Sequence, residues 1–177
     1  MVRAHIRSRG RVIQAFVSTV AILLVAACGS SGDGLEDEMQ AVGEELVNSY
    51  FRPMLAAESE AGGSLCGFTR ISGSPGECVD LVETIAELSP VLESLLARLE
   101  SFRAQFPPSD PRDEIVIMDK LVLALQALRN SDQVLIEGWL LGDDDLWQEG
   151  WGLRKEAGAK LADFIEAAIE GIESSGQ

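Results

Sequence analysis

The chain has 177 residues and carries 29 acidic against 14 basic side chains, a formal net charge of −15. That balance argues against a nucleic-acid partner, because such binding depends on Lys and Arg neutralising phosphates. The single histidine, His5, leaves the rest of the chain without Ser-His or Cys-His nucleophiles and without His-based zinc, haem or di-iron sites.

Arg3, Arg7, Arg9 and Arg11 precede an uncharged run from Val12 to Ala27. A basic start, an apolar stretch and small residues at its end make the tripartite pattern of a secretory signal. The run has 16 residues, short of the roughly 20 that span a bilayer as a helix. It ends on Val25, Ala26, Ala27 and Cys28, which resembles the bacterial lipobox. The resemblance implies that residues 1–27 are a lipoprotein signal peptide and that Cys28 becomes the N-terminus carrying a diacylglycerol. It also implies a lipid-anchored protein on the extracytoplasmic side of the cell membrane. A diacyl group supplies the two chains that stable anchoring takes, and no other cofactor is expected. Residues 28–34 then form a flexible Gly/Ser tether.

Loss of residues 1–27 removes four basic side chains and no acidic one, so the remaining charge is 10 − 29 = −19. An anionic lipid surface would repel such a domain, which leaves membrane attachment to the lipid. A charged partner is expected to be basic or a cation.

Residues 35–174 read as one helical domain, followed by a short tail, 175–177. The first helix, about 35–60, places Leu35, Met39, Val42, Leu46 and Tyr50 on one stripe, and Pro53 is expected to kink its last turns. Cys66 and Cys78 follow, separated by turn formers such as Gly73 and Pro75. With Cys28 committed to lipid they are expected to pair, closing the connection to the second helix. Phe68, Arg70 and Ile71 would be displayed on that loop, either as a contact surface or as part of a shortened connection. The second helix, about 77–105, has the clearest stripe, from Val82 to Phe106, and it continues in phase through Ser89 and Pro90. Those two residues resemble a fresh helix start, so one kinked helix is expected.

Pro107 and Pro108 end the second helix, and Ser109 or Asp110 is expected to cap the third, about 111–141. Asp113 and Glu114 suit the positive end of its dipole. Its apolar arc is wide, with Leu123 and Leu140 among the residues broadening it. The fourth helix, about 144–174, contains Gly150, Gly152 and Gly158 near tryptophans, a sign of close backbone approach. The expected fold is all-α: a four-helix up-down-up-down bundle with a disulfide-closed loop between helices 1 and 2. The arrangement is similar to helical-bundle bacterial lipoproteins in a generic sense.

The stretch 138–155 is the most site-like. Asp143, Asp144 and Asp145 could offer oxygen ligands to a hard cation. Helix capping accounts for them better: Gly142 would end one helix, one aspartate would cap the next, and Asp145 with Gln148 would form a capping box. Trp139, Trp147 and Trp151 should gather at one end of the bundle, with Arg154 on the same face to stack on an indole. Such a cluster is either a platform for a small acidic, sugar-like or aromatic ligand, or core packing with Arg154 reaching outward. Glu44 with Glu45 and Asp113 with Glu114 could act as acid and base, but nothing sets their separation across a cleft. No catalytic residue is therefore assigned. The sequence points to a non-catalytic binding or scaffold module in the envelope, acting on an envelope protein. The alternative is a small-ligand or cation-binding lipoprotein with its site at the Trp-rich end.

Overall fold

The computed structural model describes residues 34–60, 75–110 and 112–175. Cys28, the lipobox, Cys66 and the displayed loop residues Phe68, Arg70 and Ile71 lie outside them. The described chain is a helical bundle of four helices. Helix α1 runs through Leu35–Glu45, a π-helical segment Leu46–Phe51 and Arg52–Glu60. It is followed by α2 (Pro75–Arg103), α3 (Asp113–Leu141) and α4 (Asp144–Ser175).

Pro53 does not end α1. The backbone N–H of Arg52 reaches back five residues to the carbonyl of Val47, and this wider turn comes immediately before the proline. In a regular helix the Pro53 ring would meet the carbonyl of Ser49, four residues back. A π turn removes that collision without breaking the rod, and it carries Leu46, Val47 and Tyr50 buried on its inner side.

Pro90 is likewise inside a continuous helix. Ser89 is not an N-cap there; its hydroxyl donates to the Ile85 carbonyl at 3.0 Å, a bond within the helix. The start of α3 also differs from expectation. Its N-cap position is Arg112, without a side-chain cap. Asp110 instead accepts the Arg112 backbone N–H at 3.1 Å and grips the Arg112 guanidinium, while that guanidinium lies 4.8 Å from the Phe106 ring centroid.

The core is built from the stripes that the periodicity marks. Leu35, Met39, Val42, Leu46 and Tyr50 of α1 are buried with Ile85, Leu92, Leu95 and Leu99 of α2, as are Ile115, Met118, Leu121 and Leu125 of α3. Leu161, Phe164 and Ala168 supply the α4 side. Helices α3 and α4 form the most extensive pairing. Leu123 and Leu140, expected to widen the buried arc of α3, are instead exposed. No described helix is long and apolar enough to cross a membrane.

Candidate functional site

The turn between α3 and α4 is organised as its residues suggest, with one change of role. Gly142 closes α3 in the left-handed region at φ 69°, a conformation glycine takes without steric cost. Asp143 caps α4: its Oδ1 accepts the N–H groups of Asp145 and Leu146 at 2.9 and 3.1 Å. The cap is therefore Asp143 rather than an Asp145–Gln148 pair. Asp144 and Asp145 occupy the first turn of α4, where negative charge meets the positive end of the helix dipole. Among the described residues, no three His, Cys, Asp or Glu side chains are grouped to hold a metal ion.

The turn brings the three tryptophans together. Ring centroids of Trp139 and Trp147 are 5.7 Å apart, and those of Trp147 and Trp151 are 6.0 Å apart at an interplanar angle of 83°. Trp147 is wholly buried, and Trp139 and Trp151 are partly so. The helices approach closely here because of two glycines. A Cβ at Gly138 would lie 2.7 Å from the Trp147 backbone nitrogen, and one at Gly150 would lie 2.9 Å from that of Leu135. Gly152 and Gly158 have open space around them and play no such part. The indole Nε1 of Trp151 is buried without a hydrogen-bond partner.

Arg154 does not stack on an indole. Its guanidinium donates to Asp132 Oδ1 at 2.5 Å and to Glu58 Oε1 at 3.3 Å. The second oxygen of Asp132 accepts the Tyr50 hydroxyl at 2.7 Å. Tyr50 from the π segment of α1, Glu58 from its last turns, Asp132 from α3 and Arg154 from α4 thus form one polar network inside the bundle. Asp132 is fully buried, and both its carboxylate oxygens have charged or polar donors.

Burial sets the titration of this group. It pushes the Asp132 carboxyl above its ordinary value, although Arg154 and the Tyr50 hydroxyl pull the other way. The Tyr50 phenol is pushed well above its ordinary value, first by burial and then by the adjacent Asp132 charge, with Arg154 opposing. For Arg154, burial works against the charge but is outweighed by Tyr50, Asp132 and Glu58 together, so it stays protonated.

Tyr50 reads in the sequence as one more position on an apolar stripe, and Arg154 as a partner for tryptophan. Asp132 is not conspicuous. The available signal is that it falls seven residues after Leu125 and four before Ile136, an acid on a core-facing stripe. The acidic pairs contain no such feature. Glu45 lies 3.3 Å from Arg98 at the surface, and Asp113 and Glu114 sit in the first turn of α3.

No family model, curated protein or solved structure matches this chain.

Proposed function

We propose that the chain is a lipid-anchored, extracytoplasmic helical bundle acting as a non-catalytic binding or scaffold module in the cell envelope. The observation that carries the non-catalytic reading is the closure of the buried network. Asp132, the fully buried acid, is held on both oxygens by Tyr50 and Arg154, which leaves no proton acceptor facing a cleft at that point. The lipid anchor rests on the lipobox-like Val25–Cys28 and on a domain charge that gives an anionic membrane nothing to attract. The partner would be an envelope protein with basic character.

Within this reading the four helices run up-down-up-down. Support comes from Arg98, late in α2, gripping Glu38 early in α1, and from Gly171, late in α4, lying against Ile117 early in α3. A Cys66–Cys78 bridge would staple α1 to α2, and the burial of Cys78 near the start of α2 suits it.

The test is Cys28→Ala. The native chain should partition into detergent and the variant into the aqueous phase; equal partitioning would sink the lipid anchor. A second reading, a small-ligand or cation site at the Trp end, is favoured by the orphaned Trp151 Nε1, which an oxygen of a ligand could satisfy. Tryptophan fluorescence titrated with calcium and with small acidic and sugar ligands decides it, and no change in emission or melting temperature would eliminate it.

A further inference from the structure

We propose that the outward face of α3 is a self-docking surface, through which two copies of the chain pair antiparallel about a two-fold axis. From Val116 to Leu141 a row of side chains recurs at alternating steps of four and three residues, the spacing of a coiled-coil seam. The row runs along the more exposed side of α3, with Lys120 and Val134 half-buried and Ala127 packed partly against the core. Val116, Leu123 and Leu141 on it are 45%, 54% and 67% exposed. A bundle helix ordinarily shows polar residues to water. Here four of the five large apolar side chains exposed among the described residues belong to α3: Val116, Leu123, Leu140 and Leu141.

The occupant is identified by the order of residues along the row. Turning a second α3 end for end, about a point between Ala127 and Asn130, sets Val116 opposite Leu141, Leu123 opposite Val134 and Ala127 opposite Asn130. It also sets Lys120 opposite Glu137, and the two-fold axis makes that pair occur twice. Every layer is then apolar against apolar, small against polar, or cation against anion. A parallel pairing would set Lys120 against Lys120 and Glu137 against Glu137. The face is complementary to itself in one orientation, as an isologous interface requires. The overall negative charge of the chain opposes self-association, so the attraction has to be local, and Lys120 with Glu137 provides it. Leu140 flanks the seam and would be covered at its edge. This inference is independent of the lipid anchor, since it concerns only the bundle.

Charge reversal with restoration tests it, using sedimentation equilibrium of the full chain in mild detergent. The native chain should be a dimer. Lys120→Glu and Glu137→Lys should each weaken association on the order of tenfold or more, because two attractive pairs become two repulsive ones. The double variant Lys120→Glu/Glu137→Lys should restore it. Orientation is read by oxidative cross-linking against the native chain as background. An equimolar mixture of Val116→Cys and Leu141→Cys chains should cross-link, whereas Val116→Cys alone should not, since its two copies would lie roughly 37 Å apart at 1.5 Å per residue. A native chain that is monomeric at all concentrations would overturn the proposal and leave the face to another protein. Single reversals without effect, a double variant that stays dissociated, or self-cross-linking of Val116→Cys would overturn it equally.

Discussion

Asp132 occupies a position where the helical period calls for an apolar side chain, and an isolated charge there would cost several kcal/mol. It is tolerated because Arg154 and Tyr50 engage its two oxygens. Removing one partner therefore matters more than the pair's net contribution. Arg154→Met should destabilise the bundle by about 3–5 kcal/mol in urea unfolding, and adding Asp132→Asn should recover a large part of that loss. Tyr50 provides a second measurement, because it is the only tyrosine in the chain. Its phenol stays protonated in the folded state above the ordinary value of 10.0, while the unfolded chain ionises there. The folded state then holds one proton more than the unfolded state, so stability is full below about pH 10 and falls as the pH rises, by about 1.4 kcal/mol per pH unit. Phenolate absorbance should accordingly appear together with loss of helix, not before it. In Tyr50→Phe this contribution to the alkaline decline should vanish.

Along α3 and α4, glycines of similar sequence context differ in what they do. Gly138 and Gly150 lie where a Cβ would strike backbone, so alanine at either should push the helices apart and cost about 1–3 kcal/mol by thermal or urea unfolding. Gly152 and Gly158 face open space, and alanine there should stabilise α4 by up to ~1 kcal/mol each. The sequence marks Gly150, Gly152 and Gly158 alike as signs of close backbone approach. Only the partner helix distinguishes them, since close approach is a property of two chains of atoms and not of one. The π segment of α1 is a similar case. Pro53 announces an interruption, but whether a helix kinks, stops or widens by one residue depends on which side chains the neighbouring helices need to receive, and here Tyr50 is delivered to Asp132.

For the whole molecule, the excess of acids sets the response to salt. Surface pairs such as Arg103 with Asp119 and Arg112 with Asp110 are individually weak and are weakened further by screening. Repulsion among the remaining acids is spread over the surface and is screened as well, at a Debye length of about 8 Å in physiological salt. With 29 acids against 14 bases the repulsion is the larger of the two. The melting temperature should rise as sodium chloride is raised from low to physiological concentration; a fall would mean that the ion pairs dominate.

The all-helical class, the four helical segments to within a few residues, the helix stop at Gly142 and the gathering of the tryptophans at the α3–α4 turn were legible in the residues alone. These follow from the 3.6-residue period, from capping chemistry and from a connection too short to do otherwise, all of which are local. Packing decided that Tyr50 meets Asp132 across 82 positions and that Arg154 meets Glu58 across 96. It also decided that Arg154 turns to carboxylates in place of an indole, and which glycines lie against a neighbouring helix. Such contacts join side chains whose separation in the chain carries no information about their separation in space. A buried charge takes the partner that packing puts within hydrogen-bonding reach, and packing is settled by all four helices together.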